Sequence, residues 1–366
     1  MSITRPKVTI NVQDGGLGRI NPAGDGVGGL LLQLTSAPSG HAFGAAVAYT
    51  SYDDLPDGLQ IDALENFFAI APGNKIWVMP VPDNVTVDDM VDAEATTPYA
   101  ANLIEAANGE IRFLAIAAAH EDTTLGDAIT NAQALAEAYA AIYDPVLILL
   151  PVQYDDALAD LTSGSSNRVG VFISEAGNES GLLLGRLKST PVQRHIGRVK
   201  DGAMPITSAY IGDGLVEDND ARVAEVLAKG YITLGTIKGK SGYYYETQCL
   251  ATDPSGDFAT IANRRVIDKA VVVAYNTYVN ELKDEIEIAS DGTVAPGVIK
   301  HYQSLIENAI NQQLTAEGNI SGASAYMDPD QNVLSTGKLT VQLSILPLGY
   351  AEEIVVNLGF TTSLEG

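Results

Sequence analysis

Two glycine-rich stretches contain residue types that could bind phosphate. Gly24-Asp-Gly-Val-Gly-Gly29 fits the letters of the dinucleotide fingerprint, whose glycines let the backbone approach a pyrophosphate at the start of a helix. The run that follows, Leu30-Leu-Leu-Gln-Leu34, predicts a strand, so no helix N-terminus would hold the anion. Gly235-Thr-Ile-Lys-Gly-Lys-Ser241 has one residue too few between its glycines for a phosphate-binding loop, and it leads into the strand-like Tyr243-Tyr-Tyr245. We therefore expect a hairpin turn at the second stretch and no nucleotide at either.

Side chains that could act as catalytic bases or metal ligands are scattered along the chain. The histidines show no ligand spacing, and neither a serine-centred elbow nor a cysteine–histidine signature lies near them. Asp328-Pro-Asp-Gln-Asn332 lacks the glycine and the distant glutamate of a calcium loop and predicts a polar turn. The sequence thus predicts no catalytic residue, no cofactor and no metal. The four histidines are His41, His120, His195 and His301.

The charge of the chain excludes one class of partner. The 366 residues include 21 Lys and Arg against 46 Asp and Glu, a formal net charge of −25, whereas phosphate binding needs clustered basic residues. We expect no nucleic-acid partner. No apolar stretch approaches the length that crosses a bilayer, and Met1-Ser-Ile-Thr-Arg-Pro6 has no secretory pattern, so we expect a soluble protein without membrane insertion. The single cysteine, Cys249, cannot form an internal disulfide, which favours a cytoplasmic location.

The elements of residues 27–195 predict an α/β domain with a largely parallel sheet. Short, almost continuously apolar runs are typical of strands that are covered on both faces. Helical periodicity between them, clearest from Leu125 to Tyr143, predicts strand–helix alternation. The predicted strands are residues 30–34, 75–81, 111–116, 146–150 and 168–173.

Residues 196–350 predict a differently organised α+β domain. Tyr231–Ile237 and Tyr243–Cys249 flank a glycine-rich turn and predict a hairpin. One long helix follows, with an apolar stripe from Ile267 to Ile286, and another begins after Pro296 and ends before Gly318. Pro22–Gly29 has the composition of a hinge-like linker.

Both ends of the chain are strand-like. Lys7-Val-Thr-Ile-Asn-Val12 near the start and the apolar run from Lys338 to Phe360 near the end both need an edge to pair with. Two such ends on one chain predict a polymer. The domain prediction is an N-terminal arm at 1–26, the inserted α/β domain at 27–195, the C-terminal α+β core at 196–350 and a C-terminal arm at 351–366.

The ordered set of features after residue 200 resembles the tail sheath proteins of contractile phage tails, R-type bacteriocins and related contractile injection systems. The resemblance covers residues 200–366 well and extends to Val8-Thr-Ile-Asn-Val12 in the N-terminal arm. The segments that carry it after residue 200 are Gly230-Tyr-Ile-Thr-Leu-Gly235, Asn263-Arg-Arg-Val-Ile-Asp268, Tyr326-Met-Asp-Pro-Asp-Gln-Asn332, Gly337-Lys-Leu-Thr-Val341 and Ala351-Glu-Glu-Ile-Val-Val356.

The resemblance implies a structural subunit without enzymatic activity, which stacks helically around an inner tube and contracts to drive the tube through a membrane. Its implied fold is an α+β assembly domain, with a mixed sheet, long helices and C-terminal hairpin strands, plus the inserted α/β domain. Its implied partners are copies of itself, the inner tail tube protein, and baseplate and tail-terminator proteins. It would assemble in the cytoplasm of a bacterial host and then form part of a virion or injection-particle tail.

The resemblance also implies roles for individual residues. The terminal arms would join the sheets of neighbouring subunits, and basic residues on the two long helices would face an acidic tube. Two alternatives remain: a nucleotide-binding α/β enzyme built on residues 27–195, and a static tail tube or baseplate component. The arm residues are Val8, Ile10, Val12, Ile354, Val356 and Leu358; the tube-facing candidates are Arg264, Arg265, Lys269, Lys283 and Lys300.

Overall fold

The structure is a computed structural model, and it describes residues 25–118, 125–175, 177–290, 292–350 and residue 355. Most of the strands in these ranges are short, and six of them form one sheet. The strands are β1 (Val27–Leu34), β2 (Val47–Tyr49), β3 (Ile76–Pro82), β4 (Ile111–Ala117), β5 (Leu147–Val152), β6 (Ser165–Ser166), β7 (Val169–Ile173), β8 (Tyr210–Ile211), β9 (Gly214–Leu215), β10 (Leu234–Thr236), β11 (Tyr243–Tyr245), β12 (Ala251–Thr252), β13 (Gly322–Tyr326) and β14 (Gln342–Leu346).

The two longest helices of the C-terminal part begin at residues that favour a helix start. The side chain of Thr260 accepts a hydrogen bond from the Asn263 backbone N–H, and Pro296 occupies the first turn of its helix. The helices are α1 (Asp62–Ile70), α2 (Val87–Val91), α3 (Tyr99–Ala106), α4 (Leu125–Ala141), α5 (Glu179–Ser189), α6 (Asp220–Ala228), α7 (Ile261–Tyr278), α8 (Pro296–Ile310) and α9 (Val333–Thr336).

The main sheet has the order β2-β3-β1-β4-β5-β7. Neighbouring strands from β3 to β7 in this order are parallel, while β2 is antiparallel to β3 at one edge. A helix between two strands carries the chain back to the end of the sheet where the first strand began, so the second strand runs parallel to the first. Alternation of strands and helices therefore gives a parallel sheet. The prediction of a largely parallel sheet is confirmed.

Successive side chains of the sheet enter two separate cores. Leu30 and Leu32 belong to a core with α1 and α5, whereas Leu31 belongs to a core with α2, α3 and α4 on the other face. Because side chains alternate between the faces of a strand, both faces of β1 are apolar only if helices cover both. This is why the strand runs lack polar alternation.

The C-terminal part has its own cores, built on α7, α8 and the hairpin of β13 and β14. Val266, Val273, Ile306 and Ile310 form the centre of the larger one, and the inward side chains of the hairpin pack against it. The long helix ends before the predicted apolar stripe, which ran from Ile267 to Ile286, is complete. Helix α7 ends at Tyr278, and Leu282 beyond it is 55% exposed.

The first part of the predicted C-terminal domain packs with the sheet. Ile196, Tyr231 and Tyr245 belong to the same core as β1 and α5. The backbone of Ile232 also bridges Phe172 of β7 in parallel, so this segment extends the sheet edge. The hydrophobic cores therefore separate later in the chain than residues 195 and 196, where the sequence predicts the domain boundary. That boundary stays a prediction.

Candidate functional site

The predicted arm residues lie outside the described part of the chain. These are Val8, Ile10, Val12, Ile354, Val356 and Leu358. The structure describes Asp25 and Tyr350, which lie next to the two predicted arms, and the hairpin of β13 and β14. These three features form the candidate site.

Three of the five tube-facing candidates are not exposed. Arg264, Arg265 and Lys269 are each only 6% exposed. A buried side chain cannot meet a separate tube subunit, so the expectation is wrong for these residues as the subunit is described. Lys283 and Lys300 are exposed and stay candidates.

Arg264 belongs to a buried ionic cluster that fastens α7 to the sheet. Asp268 accepts from Arg264 at 2.6 Å and from Arg168, which lies next to β7, at 3.0 Å. All three side chains are at most 10% exposed. Burial lowers the pKa of Arg264, and the nearby Asp268 opposes that effect. Charges at this depth are retained only when they are paired, so the cluster fixes α7 against the inserted sheet.

Arg265 fastens α7 to other elements. Its guanidinium lies 5.4 Å from the ring centroid of Phe113 on β4, and it donates to the backbone carbonyls of Thr190 and Asp25 at 3.4 Å. Burial lowers the pKa of Arg265 to about 10, against a raising effect of Asp25, so this side chain stays charged at neutral pH.

Lys269 holds the residue at which the N-terminal arm joins the body. Its Nζ donates to Asp25 Oδ1 at 2.8 Å, Glu317 Oε2 at 2.7 Å and Asn319 Oδ1 at 2.9 Å. Lys188 Nζ donates to the Gly26 carbonyl at 2.7 Å. The base of the arm is therefore tied to α5, α7 and the segment before β13.

The C-terminal end of the described body leaves from the same region. Asn319 Nδ2 donates to Gln193 Oε1 at 2.9 Å. Two residues after Gln193, the ring centroid of His195 lies 6.3 Å from the ring centroid of Tyr350. We call the set Asp25, Gln193, Lys269, Asn319 and Tyr350 the terminal junction. Asp25 and Tyr350 are the described residues next to the two predicted arms, so the predicted arms would both begin at this junction.

The terminal junction corrects the hinge prediction for Pro22–Gly29. Val27, Gly28 and Gly29 belong to β1, and Asp25 and Gly26 are held by the lysines described above. Residues 22–24 lie outside the described part of the chain, so the correction applies to residues 25–29. The other signal that sequence reasoning missed is the spacing of Arg264 and Asp268, which are four residues apart and can pair on one helix face.

The hairpin of β13 and β14 is a two-stranded antiparallel sheet within the described residues. Ala323, Ala325, Leu343 and Ile345 pack on the core of α7 and α8. The opposite face is open, with Leu346 63% exposed. A two-stranded sheet of this size is rarely stable without more strands or a packed face, and its edges are places where another strand can add.

Described glycines of the two glycine-rich stretches lie in a strand and in a turn. Gly28 and Gly29 lie within a strand, and Gly239 lies in the turn between β10 and β11, as the sequence predicted. A cleft of ≈ 480 Å³ at the carboxyl ends of β1 and β4 is where α/β sheets often bind ligands. Asp62 lines it from the start of α1, and this carboxylate is unfavourable for a phosphate.

The described ranges also bear on metal binding and on membrane spans. No group of three or more potential ligands there could hold a metal ion. The described helices include none that is both long and apolar enough to span a bilayer.

Two family matches divide the chain near residue 250. Residues 5–248 match the family described as DUF2586, N-terminal domain, and residues 257–365 match DUF2586, C-terminal domain. This division falls close to the separation of the hydrophobic cores. No curated protein has a matching sequence.

Solved structures of one contractile injection particle share the fold over nearly the whole chain. A chain in the helical sheath of the anti-feeding prophage (AFP) in its contracted state has 18% identity and a TM-score of 0.62, with 99% of this chain and 100% of that chain covered. Chains in the AFP baseplate, six-fold symmetrised, and in the AFP baseplate in the contracted state have 16% and 14% identity, with the same TM-score and coverage. At these identities the likeness shows the fold.

Proposed function

The chain belongs to the DUF2586 family, and we propose that it is a non-enzymatic structural subunit of a contractile tail sheath. Copies polymerise helically around an inner tube and contract to drive that tube through a membrane. The observation that carries this proposal is the combination of a two-stranded hairpin with a terminal junction from which both arms begin. The shared fold with the contracted AFP sheath supports it.

Strand exchange explains how such a subunit would polymerise. An arm that begins at the terminal junction would pair with the hairpin of a neighbouring copy, through main-chain hydrogen bonds and pockets for alternate side chains. Val8, Ile10 and Val12 would supply such a strand at one end, and Ile354, Val356 and Leu358 at the other. Because the donor and acceptor surfaces differ, the contact is heterologous and generates an open helix of subunits.

Contraction would then be a change of packing between rigid bodies. The buried cluster of Arg168, Arg264 and Asp268 keeps the inserted sheet and α7 together as one body. In this proposal, the links between the arms and the bodies would let the bodies rotate while their strands stay paired. The driving free energy would be stored in a metastable extended packing, so the stroke needs no nucleotide. Assembly would take place in the bacterial host cytoplasm.

The tube contact is proposed for Lys283 and Lys300. Glu281 lies 3.5 Å from His301, which places the two exposed lysines in neighbouring segments. The chain as a whole is strongly acidic and would repel an acidic tube. An exposed pair of lysines would offer such a tube a local attractive contact.

Charge reversal tests this contact. We expect the double variant K283E/K300E to weaken co-sedimentation with inner-tube polymers by about tenfold, or about 1.4 kcal/mol. K238E, which reverses an exposed lysine in the turn between β10 and β11, serves as the matched control. Tube binding that is equal in both variants would dismiss the lysine contact and leave the strand exchange untouched.

A static baseplate component is the second candidate, because two of the similar structures are AFP baseplates. Electron microscopy of the polymers decides between the two. A sheath subunit should give cylinders whose lengths vary with protein concentration, since a helical contact does not close. Rings of one height at every concentration would favour the baseplate role and contradict the sheath.

A further inference from the structure

Basic residues are concentrated in one short stretch of this acidic chain. Residues 180–200 contain five of its 21 Lys and Arg and no Asp or Glu. Residues 26–74 have the opposite composition, with five Asp or Glu and no Lys or Arg. Where folding gathers each sign on its own surface, the two surfaces attract each other in neighbouring molecules.

The five carboxylates gather at the N-terminal end of α1. Asp62 and Glu65 lie in the first turn of this helix, and Asp53 and Asp54 belong to the 3₁₀ helix Tyr52–Asp54 that precedes it. Burial raises the pKa of Tyr52, and the charges of Glu65 and Asp62 raise it further, so the 3₁₀ helix lies beside the first turn of α1. All five carboxylate residues are exposed. We call Asp53, Asp54, Asp57, Asp62 and Glu65 the acidic end.

The basic residues gather at the C-terminal end of α5. Arg186, in the last turn of this helix, donates to the backbone carbonyls of Asp201 at 3.3 Å and Gly202 at 2.6 Å. The guanidinium groups of Arg194 and Arg198 lie 3.5 Å and 2.8 Å from Asp201 Oδ1. Three guanidinium groups thus surround one carboxylate, beside a cleft of ≈ 410 Å³ that the end of α1 also lines. We call the solvent-accessible side chains Arg194, Arg198 and Lys200 the basic end.

The acidic and basic ends lie at opposite ends of one helix layer. Helices α1 and α5 run parallel in close contact, because a Cβ at Gly181 would lie 1.6 Å from the Ala63 carbonyl oxygen and one at Gly185 would lie 3.1 Å from that of Phe67. The nine residues of α1 separate the two ends by about 14 Å. One subunit therefore cannot join its own two ends, whereas two copies placed head to tail can.

Helix dipoles account for only part of this arrangement. They favour carboxylates in the first turn of a helix and cations in its last turn. Asp54, Asp57, Arg198 and Lys200 lie outside α1 and α5 and gain little from these dipoles. Their exposed charges are therefore available for a contact with another molecule.

We propose that the basic end of one copy binds the acidic end of the next copy. The planar donors of arginine match carboxylates, and the two surfaces are complementary in charge. Because the two surfaces differ, the contact repeats without closing. It rests on the proposed helical assembly and adds a second contact to the strand exchange. Exposed ion pairs contribute little affinity, so this contact sets the rate and the orientation with which copies add.

The direction of the salt dependence tests the contact. Copies of a uniformly acidic chain repel one another, so salt should speed their association, whereas salt screens the attraction between complementary ends and slows it. We expect polymerisation of the full chain, followed by light scattering, to slow at least about tenfold between about 20 and 300 mM salt. R194E/K200E, which retains the bond between Arg198 and Asp201, should instead polymerise faster in salt. The same direction in both proteins would overturn the proposal.

Two variants with one reversed end each identify the partner of the basic end. R194E/K200E keeps the acidic end and D54K/D57K keeps the basic end, so a mixture of the two retains one intact contact. Energy transfer between labelled copies should show association within each variant slowed at least about tenfold, and association between the two variants about as fast as in the wild type. D83K/E94K makes the same change in net charge at exposed residues that flank α2, on the other face of the sheet. This control should not slow association.

Each outcome bears on the contact separately from the sheath function. Polymers that form at the wild-type rate in both variants would overturn the contact and leave the sheath function standing. A mixture that associates as slowly as the separate variants, with both folded by thermal unfolding, also overturns it. Loss of inner-tube binding in R194E/K200E, with association between copies unchanged, would assign the basic end to the tube instead. If the full chain does not polymerise, the sheath function fails, but pairing of the two variants at low salt still supports the contact and its absence overturns it.

Discussion

Deletion of residues 351–366 should leave a folded subunit that no longer polymerises. Among the described residues, the hydrophobic cores extend no further than Ile345, so we expect the fold to survive the deletion. A donated strand makes about four main-chain hydrogen bonds of about 1 kcal/mol each, and their loss should raise the critical concentration about 1,000-fold. Sedimentation velocity measures polymerisation, and thermal unfolding shows whether the subunit is intact.

Point variants within the arm provide the matched comparison. If the predicted arm pairs as an extended strand, Ile354 and Val356 would face one side of it and Val355, which is 70% exposed, would face the other. We expect I354S/V356S to block assembly and V355S to permit it. Polymers that form from the truncated subunit would reject the role of the C-terminal arm.

Replacement of Lys269 by methionine should cost about 3 kcal/mol of stability. The lysine side chain is 3% exposed, and its removal leaves Asn319, Asp25 and Glu317 without their shared donor. Breaking a buried pair costs about 3–5 kcal/mol, and the lower end applies because the two carboxylates are 35% and 51% exposed. Urea unfolding measures the change in the free energy of unfolding.

The same substitution should release the base of the N-terminal arm. Limited proteolysis around residue 25 should accelerate in K269M, since Asp25 loses its anchor. K300M removes an exposed lysine from α8 and should change stability by less than about 0.5 kcal/mol. Equal stability and equal cleavage in the two variants would contradict the anchoring role of Lys269.

The sheet was predictable because its strands are covered on both faces. Runs such as 146–150 are apolar throughout, and the structure places β5 at Leu147–Val152. Helix α4 was equally clear from its periodicity and the Asp144-Pro145 stop. The order of the strands was not predictable, since it depends on which crossover each helix makes, and local sequence carries little information about that choice.

The hairpin and the terminal junction depend on contacts between distant residues. Strand β13 has the sequence Gly322-Ala-Ser-Ala-Tyr326, whose small residues have weak strand propensity and are held by packing against β14 and α8. From the sequence alone, Lys269 resembles any solvated helix residue, because its partner Asp25 lies 244 positions away in the chain. The amphipathic pattern predicts that charged side chains of a helix face solvent. This prediction fails where buried ion pairs join two domains.

The central claim is that copies of this chain complete one another's hairpins. Cryo-electron microscopy of the cylinders formed by the full chain, with and without inner-tube polymers, tests it most directly. We expect a further strand beside the hairpin of β13 and β14 that can be traced to a different subunit. Particles that remain monomeric in both mixtures, or a third strand that traces back to the same chain, would contradict the claim.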